Sequence, residues 1–176
     1  MNLVLTGFMG VGKSVTGKIL SKELRKDFFD TDALIEKKIG LSINMIFEKF
    51  GEKEFRRTES EVIRALSQED SSVISCGGGA VLNPSNVKLL GNKGIIINLY
   101  ASPEAIYDRI KSGSIRPLLK RENPLDEIKR LLELRKEAYS DCDYAFNTDG
   151  LTPRQVVNNI LSVIDKLLIG FSKARN

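Results

Sequence analysis

The chain opens on a short apolar run, Asn2-Leu-Val-Leu-Thr6, that stops at Gly7, and from Lys13 to about Arg25 apolar residues recur at helical spacing. That pattern reads as strand, glycine loop, helix. Further strands are expected at Asp27 to Asp30, Ser72 to Ser75 and Gly94 to Leu99, the last with a β-branched Ile95-Ile96-Ile97 run suited to burial on both faces. A weaker strand is expected at Asp143 to Asn147. Helix starts are marked at Ser102-Pro103-Glu104, Asn123-Pro124-Leu125-Asp126 and Thr152-Pro153-Arg154-Gln155, where a capping residue precedes a helix-compatible Pro. The last also has capping-box spacing, Thr followed three residues later by Gln. Strands alternating with helices predict an α/β fold, a parallel sheet wrapped by helices on both faces.

With 176 residues, 41% of them apolar, the chain has material for one core, and a single domain over 1–170 with a frayed tail at 171–176 is expected. The segment Lys111-Ser-Gly-Ser-Ile-Arg-Pro-Leu-Leu-Lys-Arg-Glu-Asn123 has little periodicity and is long for a connection. It reads as a functional lid or as a plain connector. Lys plus Arg number 27 against 23 Asp plus Glu, a formal charge of +4, too small an excess to predict nucleic-acid binding. Cys76 and Cys142 lack the spacing of a thiol or zinc motif, and no secretory or membrane-spanning stretch is recognised, so a reduced, cytoplasmic protein is expected. The chain has no His. That excludes Ser-His-Asp hydrolysis, His-ligated zinc and an imidazole base, and leaves acid–base work to carboxylates.

Gly7-Phe8-Met9-Gly10-Val11-Gly12-Lys13-Ser14 satisfies G-x-x-x-x-G-K-S/T and falls between a strand and a helix, where a P-loop belongs. The phosphate cradle is expected along Gly10, Val11, Gly12, Lys13, Ser14 and Val15, with Lys13 reaching the β and γ oxygens and Ser14 holding Mg²⁺. The strand-end Asp usually associated with the metal is missing after Ser75 and within Gly94 to Leu99. Asp30-Thr31-Asp32 instead ends the short second strand, at the edge where open α/β sheets bind ligands. Asp30 is assigned to the Mg²⁺ shell through water and Asp32 to the acceptor, with a helix cap as the competing reading of either.

The ordered set of Gly7 to Ser14, Asp30-Thr-Asp32, Phe55-Arg-Arg57 with Glu59, Gly77-Gly-Gly79, Arg116-Pro-Leu118 and Arg135 resembles shikimate kinase, from about Leu3 to Val157. The resemblance implies ATP-dependent phosphorylation of the 3-hydroxyl of shikimate, a cyclohexene carboxylate, with ATP and shikimate as the partners. It also implies a three-layer P-loop fold of the nucleoside-monophosphate-kinase type, with a five-stranded parallel sheet, substrate-binding helices over about 32–60 and a mobile lid over about 111–123. By resemblance, Arg56 and Arg135 clamp the carboxylate, Asp32 orients the attacking hydroxyl, Gly77, Gly78 and Gly79 allow close approach, and Phe47 and Phe55 wall the ring. Glu59 braces Arg56, Arg116 joins Lys13 and Mg²⁺ in stabilising transferred charge, and Arg109 and Pro153 lie on the adenine side.

Arg forks and short acceptors suit a carboxylate with neighbouring hydroxyls. Each residue also has a plainer reading: Arg56 and Glu59 as a surface pair, the Phe residues as core, and Arg135 as a solvated position in an amphipathic helix with Ile128, Leu131 and Leu132. One departure from the family is Val15-Thr16, which leaves no hydroxyl beside the metal Ser. The rivals are a kinase of another small acceptor, such as a nucleoside monophosphate or gluconate, and a slowly hydrolysing nucleotide switch. Against a GTPase, Asn92-Lys93 is followed by Gly94-Ile95 rather than x-Asp. A monomer without nucleic-acid or membrane partners is expected.

Overall fold

In the computed structural model, which describes residues 1–111 and 123–173, β1 (Asn2–Thr6) is the middle strand of a five-stranded sheet ordered β2-β3-β1-β4-β5. Its Leu3, Val4 and Leu5 are covered on both sides. The remaining strands are β2 (Asp27–Asp30), β3 (Ser72–Ser75), β4 (Gly94–Tyr100) and β5 (Tyr144–Asn147), all paired in parallel. Both the all-parallel sheet and each of these strands were legible from the chain. The β4 run Ile96 to Leu99 is buried, as a strand with helices over both faces requires.

Helices α1 (Lys13–Leu24), α2 (Thr31–Ile39), α3 (Ile43–Leu66), α4 (Pro84–Gly91), α5 (Pro103–Lys111), α6 (Pro124–Leu134), α7 (Lys136–Ser140) and α8 (Pro153–Lys173) make the connections. Packed pairs include α1 with α8, α2 with α3 and α5 with α6. Local chemistry sets the helix starts. Asn123 Oδ1 accepts from Asp126 N, and at α8 Gln155 N donates to Thr152 Oγ1 while Thr152 N donates back to Gln155 Oε1. The long α3 is broken at Gly51, whose φ of 78° and ψ of 170° are not helical. Among the described residues no helix is long and apolar enough to cross a membrane.

A parallel sheet places every strand's carboxyl end on one edge. Gly7, Thr31, Cys76, Ala101 and Thr148, the residues that follow β1, β2, β3, β4 and β5 or lie one step beyond, therefore gather along that edge. Arg135 departs from the sequence reading. It is not inside an amphipathic helix but at the break between α6 and α7, with φ of −104° and ψ of 4°. The break turns its side chain out of line with Ile128 and Leu131, which are buried.

Candidate active site

The P-loop is a backbone cradle at the start of α1. Gly10 and Gly12 sit at φ of 79° and 95°, a region costly for any residue with a Cβ. Gly12 caps α1 without a side-chain hydrogen bond, so the first-turn N–H groups and the helix dipole are directed at whatever anion occupies the loop. Lys13 is largely buried. Its Nζ donates to the carbonyl oxygens of Gly7 and Phe8 at 2.8 and 2.9 Å, lying across the loop it serves. Val15 is exposed and Thr16 buried, so the hydroxyl found one position later in this chain lies on a covered side of α1.

The Ser14 hydroxyl donates to Asp30 Oδ2 at 2.6 Å and lies 3.4 Å from Ser75 Oγ. Asp30 also caps α2, its Oδ1 accepting from Asp32 N and Ala33 N. The capping reading of Asp30 therefore holds for one carboxylate oxygen, while the other faces the Ser14 hydroxyl. Ser75 escaped the sequence reading, which looked for an acid at the end of β3. The signal was its place as the last residue of a strand, in register with both Asp30 and Leu5.

Asp32 lies in the first turn of α2 and is not the cap. Its position is set by the triple-glycine loop after β3. A Cβ at Gly77 would stand 2.5 Å from Asp32 Oδ1 and 3.0 Å from Glu59 Oε1; one at Gly79 would stand 2.4 Å from both terminal nitrogens of Arg56. Gly78 approaches the P-loop itself, where an added Cβ would be 3.2 Å from Met9 N. Three consecutive glycines therefore let one turn touch Asp32, the P-loop and Arg56 in succession. Thr31 Oγ1 anchors that turn by accepting from Gly77 N at 2.8 Å.

Arg56 donates to Glu59 at 2.7 Å and to Glu52 at 3.3 Å, and its guanidinium lies 5.2 Å from the Phe55 ring centroid. Phe55 is buried and Phe47 half-buried, with ring centroids 4.6 Å apart. Glu59 is only 1% exposed, so the Arg56–Glu59 pair is not an ordinary surface pair. Burial pushes the Glu59 carboxyl above the usual glutamate range; Arg56 opposes that rise and Asp32 adds to it. Burial disfavours charge on Arg56 too, but Glu59 and Glu52 outweigh it and hold the cation firmly protonated.

Arg135 stacks 5.7 Å from the centroid of Phe8, a P-loop side chain. One turn on, the Tyr139 hydroxyl donates to Gly78 O at 2.5 Å. Burial raises the Tyr139 pKa, and the Arg135 and Arg56 cations both oppose the rise, which places them around the same hydroxyl. On the opposite flank, Arg109 donates to Thr148 Oγ1 at 2.9 Å and to Thr148 O at 2.6 Å, joining α5 to the loop before α8. Pro153 opens α8 there, exposed. Arg116 and most of the expected lid, 112–122, lie outside the described residues.

Residues 9–165 match the family model for shikimate kinase. The chain belongs to the shikimate kinase family. Its reaction is the ATP-dependent phosphorylation of shikimate, in aromatic amino acid biosynthesis. It is 48% identical over 162 residues to the shikimate kinase of Caldicellulosiruptor bescii, covering 92% of this chain and 94% of that one. Among solved structures, a shikimate kinase from Acinetobacter baumannii in complex with shikimate superposes with a TM-score of 0.89 at 36% identity, over 94% of this chain and 93% of the other. The shikimate kinase from Aquifex aeolicus gives 0.84 at 40% identity, over 97% and 99%.

Proposed function

We propose that this chain divides shikimate phosphorylation among the residues gathered at the sheet edge as follows. Arg56 and Arg135 hold the carboxylate, Phe47 and Phe55 wall one side of the ring, and Asp32 accepts from the 3-hydroxyl and aims its oxygen at the γ-phosphorus. The observation that supports this most directly is the glycine turn, which meets Asp32 at Gly77, the P-loop at Gly78 and Arg56 at Gly79. A turn with those three neighbours brings acceptor and donor halves side by side at the sheet edge, and in-line positioning is the main requirement of a loose phosphoryl-transfer transition state.

Lys13 exchanges its bonds to the Gly7 and Phe8 carbonyls for the β and γ oxygens when triphosphate enters. As the new O–P bond forms and the bond to the ADP oxygen breaks, the hydroxyl proton passes to Asp32 or to water. The side chain needs no raised pKa for this, since orientation matters more than basicity. Glu59 is a positioning residue that braces Arg56. Arg109, docked on Thr148, and Pro153 form the adenine side, and Arg116, from the segment assigned as lid, adds charge at the transferred group.

Ser14 would hold the metal directly and Asp30 would hold it through water; the hydroxyl and carboxylate oxygens concerned lie 2.6 Å apart. Among the described residues no three His, Cys, Asp or Glu cluster as a dedicated cage. A few hard oxygens beside a phosphate cradle suit Mg²⁺, which keeps most of its waters and binds through phosphates. When bound, it neutralises charge on the β and γ oxygens. A monomeric, cytoplasmic enzyme completes the reading; the two cysteines, both unpaired, agree with a reducing compartment.

The test is a coupled ADP-release assay with MgATP and shikimate, set against quinate and nucleotide acceptors, in the wild type and in Arg56→Ala and Arg135→Ala. Shikimate-dependent ADP that collapses in both variants is the expected result. Equal rates on all acceptors would reduce the chain to a general kinase.

A further inference from the structure

Ser75 ends β3 in register with Leu5 of β1 on one side and Asp30 of β2 on the other, so the buried backbone N–H groups just beyond it need acceptors where the sheet stops. Successive N–H groups of a strand turn to opposite neighbours. That of Cys76 donates to Leu5 O at 2.9 Å, on the β1 side. That of Gly77 falls on the β2 side, where β2 has ended at Asp30 and the chain has turned into α2. The Thr31 hydroxyl stands in for the strand carbonyl that β2 no longer offers, accepting from Gly77 N at 2.8 Å, and Thr31 is fully buried. Three consecutive residues thus have three directions. Asp30 Oδ2 accepts from Ser14 Oγ, Thr31 holds the glycine turn, and Asp32 lies against Gly77, where a Cβ would stand 2.5 Å from its Oδ1.

We propose that Thr31 is a further positioning residue of the reaction: through Gly77 its hydroxyl fixes the Asp32 carboxylate against the phosphate loop, a role that rests on the assignment of Asp32 to the attacking hydroxyl. Gly78, the next residue of the turn, packs on the P-loop, where a Cβ would meet Met9 N at 3.2 Å. The Thr31–Gly77 bond therefore ties the acceptor carboxylate to the donor loop through two residues of backbone. Without it the Gly77 N–H is left buried and unpaired, and the turn must shift to find another acceptor. A displacement of about 1 Å between reacting groups can cost about 100-fold in rate. Binding is less exposed to such a shift. Arg56 is held by Glu59 and Glu52 on its own helix, and the P-loop keeps its glycines and Lys13. The expected mark of Thr31 is therefore on kcat rather than on affinity.

The test compares Thr31→Val, which keeps the branched shape without the acceptor, with Thr31→Ser, which keeps the hydroxyl. In Thr31→Val kcat is expected to fall about 30-fold or more, with calorimetric affinities for shikimate and for a non-hydrolysable MgATP analogue within about threefold of wild type. Thr31→Ser is expected to restore kcat to within about threefold of wild type. Because Thr31 acts through Asp32, adding Thr31→Val to Asp32→Asn is expected to cost less than about threefold beyond Asp32→Asn alone. If Thr31→Val does not fold, Thr31→Ala, which also lacks the acceptor, is read in its place. A wild-type kcat in Thr31→Val, equal losses in Thr31→Val and Thr31→Ser, affinities that fall as far as kcat, or a full additional loss in the double variant would overturn the proposal. Asp32→Asn at the wild-type rate would instead remove the reading of Asp32 beneath it, and with it this role for Thr31.

Discussion

The hydroxyl of Tyr139 donates to the carbonyl of Gly78 at 2.5 Å, linking residues 61 positions apart. This bond fastens α7 to the glycine turn, and Tyr139 N is itself bonded to Arg135 O at 3.0 Å. One side chain therefore fixes both the turn that contacts Asp32 and Arg56 and the helix start that presents Arg135. Tyr139→Phe leaves a buried carbonyl without its donor, a loss of about 1–3 kcal/mol. The expected outcome is a KM for shikimate raised about tenfold, with the KM for ATP near the wild-type value, because the damage is confined to the acceptor half. Steady-state kinetics with each substrate varied in turn will show the split.

Glu59 gives a pH signature. Burial raises its pKa above the ordinary glutamate value, Asp32 adds to the rise, and Arg56 only partly offsets it. The folded chain therefore holds this proton more tightly than the unfolded chain. Its contribution to stability is fully present below the ordinary glutamate pKa and is lost as pH rises through the raised one. Activity runs the other way: ionised Glu59 braces Arg56, so kcat/KM for shikimate is expected to fall as pH drops through the raised pKa. In Glu59→Gln the stability change across that window and the acid limb of kcat/KM should both flatten, with KM for shikimate high throughout. Denaturation midpoints and shikimate kinetics across acid pH test the two halves separately.

Gly79→Ala drives a Cβ to 2.4 Å from the Arg56 guanidinium, a clash that only movement of the arginine relieves. Binding of shikimate is expected to weaken by about tenfold or more while nucleotide binding is retained, since a misplaced bidentate clamp loses charge-assisted bonds. Calorimetric titration of each ligand distinguishes this from general unfolding.

Asp30 has two separable duties. Asp30→Asn keeps an oxygen that caps α2 but removes the charge facing Ser14, whereas Asp30→Ala removes both. The Asn variant is expected to need more Mg²⁺ for half-maximal rate with little change in melting temperature. The Ala variant should in addition lose about 1 kcal/mol of stability from the cap. Rate against Mg²⁺ concentration, paired with thermal melts, checks both.

Lys13→Met is expected to lower turnover by about 100-fold or more, as loss of one preorganised donor to developing charge commonly does. Circular dichroism should show an unchanged fold, because the helix and the loop glycines that shape the cradle remain.

The P-loop, the five strands and the starts of α1, α5, α6 and α8 could be read directly from the chain, because their determinants are local. Gly10, Gly12, Lys13 and Ser14 lie within one turn of backbone, and Asn123-Pro124 or Thr152-Pro153 signal a helix within four residues. The residues proposed for the acceptor half were also visible, but only as an ordered pattern; spacing alone did not say that they meet. That Gly77, Gly78 and Gly79 contact Asp32, the P-loop and Arg56 in turn depends on β3 lying between β2 and β1, a parallel arrangement that brings distant strand ends to one edge. The same packing makes Ser75 a neighbour of Ser14, buries Glu59 beside Arg56, and breaks the helix at Arg135 so that its guanidinium rests on Phe8. Tyr139 carries no local signal at all. Its partner Gly78 comes from a segment 61 residues away, and contacts across such distances are set by how the whole core closes.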